Sequence, residues 1–239
     1  MLLAIDAGNS FVKTAQHDGQ TWQAQQRVAL ADFCAEPSRY LQHPPQQIVI
    51  ANVAGPVFQV ALESALPQRA LQWVKASSQA CGVTNLYNPP QQLGADRWAI
   101  LVAARAITHE ACVVASFGTA LTVDMLAADG RFLGGVIAPG LQLMRTALAQ
   151  GTHAVQPPLG QLTRFPTNTA DALETGLAYA MLGVLLKVTS EFEAQTQRAV
   201  HCILTGGDAH FIAPYLNSAT QVEDNLVLEG LRLLAQKES

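Results

Sequence analysis

The sequence predicts an α/β protein made of two similar lobes, residues 1–108 and 109–239, each a mixed sheet with helices, the two meeting at a cleft. Three observations carry this expectation. Strand-like and helix-like segments alternate along the 239 residues. Residues 2–19 (LLAIDAGNSFVKTAQHDG) are echoed by residues 113–130 (VVASFGTALTVDMLAADG): an apolar run, a small-residue turn, a second strand, then Asp-Gly. Residues 47–66 and 200–216 form a second pair, each a short buried strand, a small-residue turn and an amphipathic helix.

Taken in order, residues 2–7 are apolar enough for a buried strand, and Gly8, Asn9 and Ser10 let the chain reverse. Asp18-Gly19 and Asp129-Gly130 suit hairpin turns. Helices are expected at 95–107, 141–150, 169–192 and 225–236. Within the third, the apolar run 177–186 (LAYAMLGVLL) is half of the roughly 20 residues that span a bilayer, so it reads as a buried helix and no membrane partner is expected. Pro44-Pro45, Pro89-Pro90 and Pro157-Pro158 read as loops within lobes.

Composition excludes several classes. Hydrophobic residues make up 49%, with 17 Gly and 12 Pro, which rules out collagen-like and disordered chains. Fourteen Lys+Arg against 18 Asp+Glu give a net charge of -4 without a basic cluster, so no nucleic-acid partner is expected. The N-terminus, MLLAID, lacks the basic and small-residue regions of a secretory signal, which makes the cytoplasm the expected compartment. Cys34, Cys81, Cys112 and Cys202 form no C-x-x-C pair and read as buried free thiols.

The strongest chemical element is Asp6-Ala7-Gly8-Asn9-Ser10, followed by Phe11, Val12 and Lys13. A carboxylate at a strand end can hold Mg²⁺, and a tight turn without bulky side chains aims backbone N–H groups at phosphate. Alone, it could equally be a plain hairpin. Ser116-Phe117-Gly118-Thr119 supplies a second copy, and no G-x-x-x-x-G-K-[ST] is present. Two facing phosphate hairpins resemble the way the actin, Hsp70 and sugar-kinase superfamily grips ATP. A third element is the 85–98 segment (NLYNPPQQLGADRW). Asp96 there is either a helix cap beside a surface Arg97, or the acceptor of a hydroxyl proton beside a two-pronged carboxylate partner.

Five motifs in order make the resemblance specific. D-x-G-N-[ST] at the N-terminus, L-G-x-D-R near 95, G-T-A-x-T-x-D near 120, G-G-x-I-x-P-G at 134–140 and N-T-x-x-A at 168–172 resemble type III pantothenate kinases over residues 1 to about 210. The resemblance implies a duplicated ribonuclease-H-like, actin-like ATPase fold, a homodimer, ATP with Mg²⁺, and phosphorylation of pantothenate to 4'-phosphopantothenate, the first step of coenzyme A biosynthesis. It places ATP phosphates on Asp6, Ala7, Gly8, Asn9, Ser10, Phe11, Val12 and Lys13, with Asp6 nearest the magnesium, and adds Thr119. Tyr87, Gly94, Ala95, Asp96, Arg97 and Thr169 match pantothenate contacts, with Asp96 as the base. Residues 205–208 (TGGD) sit where the superfamily has its adenosine loop, an ordinary strand-to-helix turn being the other reading. Two rivals share the fold: a small sugar- or acetate-type kinase, for which Arg97 has no carboxylate to bind, and a regulatory protein, since the Bvg accessory factor resembles the same family.

Ser116 departs from the family, where many members carry an acid associated with a monovalent cation. A hydroxyl leaves such a site about one negative charge short. Weak activation by K⁺ or NH₄⁺ is therefore expected, and stronger activation in Ser116→Asp; initial rates against KCl at constant ionic strength measure both.

Overall fold

The apolar runs become strands in the computed structural model, which describes residues 1–41, 45, 47–67, 70–151, 159–216 and 220–237. Pro44, Pro157 and Pro158 lie outside the described residues. The elements are β1 (Leu2–Ala7), β2 (Phe11–His17), β3 (Trp22–Ala29), α1 (Leu30–Ala35), α2 (Pro37–Tyr40), β4 (Gln47–Asn52), α3 (Pro56–Ala65), β5 (Leu71–Trp73), β6 (Gln79–Ala80), β7 (Val83–Asn85), α4 (Ala95–Ile107), β8 (Cys112–Phe117), β9 (Ala120–Leu126), β10 (Arg131–Pro139), α5 (Leu141–Gly151), α6 (Thr169–Thr196), β11 (His201–Thr205), α7 (Ala209–Ile212), β12 (Thr220–Val222) and α8 (Leu226–Lys237). They form two compact units. Unit 1 is Met1–His109, Gly130–Phe132 and Asn225–Ser239; unit 2 is Glu110–Asp129 and Leu133–Asp224.

In unit 1 the five strands run β3-β2-β1-β4-β5. β1 pairs antiparallel with β2 and parallel with β4, and β4 pairs parallel with β5. Side chains of a strand alternate between faces. Leu3, Ile5 and Ala7 therefore share one face, where they pack with Phe33 of α1 and with Phe58 and Leu62 of α3. Asp6 is left on the other face.

Unit 2 repeats this plan. Its strands run β12-β11-β8-β9-β10, the same order with β8 in the place of β1, and β8 again pairs antiparallel with the strand that follows it and parallel with β11. β10 opens in unit 1, where Arg131 and Phe132 pair with Thr84 and Asn85 of β7. In unit 2, α6 is long and apolar enough to cross a membrane by length and composition alone. Here Ala178, Met181, Leu182, Leu185 and Phe192 of α6 pack instead with Val113, Phe117 and Leu121 in the unit's core.

Both sequence repeats thus become one topology used twice. The 95–107 helix has the expected bounds, and α5, α6 and α8 differ from theirs by at most a few residues at either end. In unit 1, α4 is buried from Arg97 to Ala104. On α8, Gly230 permits the close approach of α4: a Cβ added there would lie 1.8 Å from the Ala99 carbonyl oxygen. In an isolated helix Gly→Ala is favourable. Here the clash with backbone reverses the sign, so Gly230→Ala should cost about 1 to 3 kcal/mol and lower the melting temperature by roughly 2 to 12 °C, measured by calorimetry.

Candidate active site

Unit 1 brings the Asp6 turn and the start of α4 together. The β1–β2 turn is closed by the Gly8 N–H donating to the Phe11 carbonyl at 3.0 Å. Asn9, Ser10 and Phe11 are exposed at its tip. Asp6 pairs in register with Lys13. Burial pushes the Asp6 carboxyl up to about 7; Lys13 lowers it and the Asp96 carboxyl raises it further. A carboxyl held near half-protonation at neutral pH is one that a divalent cation would ionise fully. A single carboxylate, with substrate phosphates and water completing the shell, fits Mg²⁺, which dehydrates reluctantly.

Asp96 is not the helix cap. Gly94 occupies that position, and Asp96 sits in the first turn of α4, its Oδ1 accepting from the Arg97 N–H at 2.8 Å. Burial raises its pKa, against the Arg97 N–H and guanidinium, which lower it. Gly94 leaves room for that carboxyl, since an added Cβ would lie 2.6 Å from Asp96 Oδ1 and 3.6 Å from Val53 Cγ1. Val53 stands in the 52–55 turn after β4, where its N–H donates to the Ala7 carbonyl at 2.9 Å. Asn52 Oδ1 holds that turn by accepting from the Ala54 and Gly55 N–H groups.

Arg97 is no surface charge; it is 5% exposed. Its Nη1 donates to the Tyr87 hydroxyl at 3.3 Å, and the guanidinium lies 5.6 Å from the Tyr87 ring centre and 5.9 Å from that of Phe132. Tyr87 is placed by the buried Asn85, whose Oδ1 accepts from the Tyr87 N–H while its Nδ2 donates to the Ser77 and Pro90 carbonyls.

Unit 2 carries the other two residues. Thr119 is exposed at the β8–β9 turn, which two glycines buttress from behind. The Gly140 N–H donates to the Thr119 carbonyl at 3.0 Å, and a Cβ at Gly140 would lie 2.1 Å from the Gly118 carbonyl oxygen. Gly206, at φ +97, packs on Phe117, so the 205–208 loop adjoins the phosphate-type turn. Thr169 is exposed as the first residue of α6, whose cap is Asn168, accepting from the Asp171 N–H at 2.9 Å.

A family model described as type III pantothenate kinase matches residues 2–191. The chain belongs to the type III pantothenate kinase family. A type III pantothenate kinase of Nitrosospira multiformis is 39% identical over 242 residues, covering 100% of this chain and 92% of the relative. One of Dechloromonas aromatica is 41% identical over 244, covering 99% and 100%. Among solved structures, a Campylobacter jejuni protein described as a conserved Baf-family transcriptional activator is 23% identical with a TM-score of 0.65, covering 99% of this chain and 98% of that one. Glucokinase from an Antarctic psychrotroph is 12% identical with a TM-score of 0.54, covering 99% and 98%. These likenesses, with the repeated strand order, show the actin-like ATPase fold.

In this type III pantothenate kinase relative, unit 1 gathers Asp6, Lys13, Gly94 and Asp96, and sets Tyr87 on Arg97. Val53 and Phe132 join the unit 1 groups without having been singled out, whereas Asn85, and Gly140 and Gly206 in unit 2, stood in the sequence only as members of the 85–98, 134–140 and 205–208 segments.

Asp6 gives a pH test without substrate. Its pKa is 3.8 unfolded and about 7 folded, so the folded state resists ionisation. Stability is untaxed below pH 4, falls between 4 and 7, and carries the full cost above 7. With EDTA present, Asp6→Asn should melt higher than wild type at pH 8, by on the order of 5 °C, and the difference should vanish toward pH 4.

Proposed function

We propose that the chain transfers the γ-phosphoryl group of ATP to the primary hydroxyl of pantothenate, forming 4'-phosphopantothenate in coenzyme A biosynthesis. The observation that carries this is the first turn of α4, in a chain of the type III pantothenate kinase family: a carboxyl, Asp96, facing Asp6, directly followed by a buried guanidinium set on Tyr87. A phosphate-side carboxylate and an acceptor-side cation one residue apart suit a small acid that bears a hydroxyl.

In this reading the Asp6–Lys13 turn takes the ATP phosphates through backbone N–H groups and Lys13, and Thr119 adds a contact from the second turn. Asp6 would hold Mg²⁺, which supplies charge neutralisation at the β- and γ-phosphates. Tyr87, Gly94, Ala95, Arg97 and Thr169 bind pantothenate, with Arg97 taking its carboxylate in a planar fork. Asp96 accepts the hydroxyl proton as the oxygen attacks phosphorus and the bond to the ADP oxygen breaks. Burial suits it to that work, because a raised pKa brings a carboxylate nearer the operating pH.

The 205–208 loop, packed behind the second turn, is assigned to the adenosine. A monovalent cation, K⁺ or NH₄⁺, would be weakly held, since Ser116 pairs with Thr122 and Thr205 and brings no charge of its own. A homodimer is favoured by α6, which exposes Tyr179 and Leu186. The cytoplasm is the compartment in which this chemistry is expected.

ADP release with and without pantothenate tests the assignment, with pantothenol as the acceptor that lacks the carboxylate. Pantothenate should stimulate release and pantothenol should serve poorly; equal use of the two would remove Arg97 from the carboxylate. Asp96→Asn retains the hydrogen bond from the Arg97 N–H but not the base. Its kcat should fall by roughly 10² to 10⁴ with no loss of thermal stability, and a kcat within a few-fold of wild type would leave Asp96 structural.

A further inference from the structure

The face of the unit 1 sheet that carries Asp6 holds a second basic residue outside every motif above. Asp6 pairs with Lys13, and Lys13 pairs with Arg27 on β3. Residues directly opposite in an antiparallel pair point to the same side, so Asp6, Lys13 and Arg27 form one row across three adjacent strands. Phe11 stands two residues before Lys13 and shares that side. The Arg27 guanidinium lies over the Phe11 ring, 3.7 Å from its centre, with the arginine exposed and Phe11 40% exposed. The end of β3 is tied to the turn as well, the Leu30 N–H donating to the Ser10 carbonyl at 3.0 Å.

Lys13 and Arg27 are the only Lys or Arg among residues 1–29. In a chain with 13% charged residues, both fall beside the turn and on the face of Asp6. Packing does not account for Arg27, because β3 is an edge strand and the residue is exposed. An exposed cation–π contact is weak, whereas a guanidinium–phosphate pair is charge-assisted and bidentate. A guanidinium parked on the ring beside the turn is therefore free to exchange that contact for an anion, with Phe11 setting the direction from which it reaches.

We infer that Arg27 is a further phosphate-binding residue, which swings from the Phe11 ring to the terminal phosphates of ATP held at the Asp6–Lys13 turn. This rests on the reading that the turn binds MgATP. Within it, Lys13 supplies a point charge near Asp6 and Arg27 a planar fork on the outer side of the same phosphates. Phe11 then acts through its ring as the rest position of Arg27, in addition to any backbone contact.

The test compares wild type with Arg27→Gln and Arg27→Lys, and uses Arg39→Gln on α2 as a control for the loss of one exposed positive charge. Melting temperature is followed against MgATP and against adenosine, without pantothenate, and KM is measured for each substrate in the coupled assay. Arg27→Gln should need about 10-fold more MgATP for the same thermal shift and show a similar rise in KM for MgATP. Its response to adenosine and its KM for pantothenate should stay within two-fold of wild type. Arg27→Lys should fall between, and the KM for MgATP should rise less steeply with salt in Arg27→Gln than in wild type. A wild type stabilised by MgATP, with Arg27→Gln and Arg39→Gln indistinguishable from it, would overturn the inference and leave the function intact. A wild type neither stabilised by MgATP nor able to release ADP with pantothenate would instead overturn the reading beneath it. Should Arg27→Gln fail to fold, Arg27→Lys decides, since unchanged MgATP dependence there excludes the fork.

Discussion

A carboxyl group on the central strand of a buried sheet must be matched or stay protonated, and much of unit 1 is arranged around that constraint at Asp6. Its neighbours on β1 need the opposite face for the α1 and α3 core, so alternation alone commits Asp6 to the side of α4 and α8. Lys13 stands opposite, and the start of α4 brings a second carboxyl whose charge works against ionisation. The result is a group with a pKa of about 7, which costs the apoprotein stability and favours a cation. Gly94, the cap of α4, is part of the same arrangement, because any side chain there would displace Asp96.

Unit 2 shows what the plan looks like without that charge. Ser116 stands two residues before Gly118, as Asp6 stands two before Gly8. Its neighbours in register are Thr122 and Thr205, where Asp6 has Lys13 and Ala51. These hydroxyls carry no charge, Thr122 Oγ1 being buried without a hydrogen-bond partner among the described residues, and the turn is braced by the close approach of Gly140 and Gly206. One topology has thus been adapted twice: the first copy concentrates charge, and the second presents a turn braced by glycine.

Legibility in the sequence followed hydrophobic contrast. β1, β8 and α4 were readable because burial on both sides demands continuous apolar residues, and the turns because Gly, Asn and Asp punctuate them. β3 was not, since WQAQQRVA is an exposed edge strand whose polar residues carry no alternation. β5, β6, β7 and β12 have two or three residues each, too short for any period to register. At the site, Asp6, Asp96 and Arg97 stood out through motif context, but their supports did not. Asn85 and Phe132 are ordinary residues locally, and their roles arise from the pairing of β7 with β10, 47 positions apart at that rung, which no local pattern records.

Buried charge separates support from chemistry across the molecule. Glu174, on α6, is 5% exposed and is met by Arg145 of α5, whose Nη2 donates to both carboxylate oxygens at 2.7 Å. Such a pair adds little net stability over apolar residues, but it admits only one geometry. That geometry has consequences in unit 2. α5 begins directly after Gly140, which braces the Thr119 turn, and α6 begins at Thr169, five residues before Glu174. Fixing Arg145 on Glu174 therefore fixes the start of α6 with respect to the brace of the second turn. Arg97 is buried to the same degree, and it meets the Tyr87 hydroxyl, the rings of Tyr87 and Phe132, and the field of the Asp96 carboxyl, whose pKa it lowers. Arg145 is thus a strut between α5 and α6, while Arg97 is the group proposed to take the acceptor's carboxylate, although both are arginines on helices.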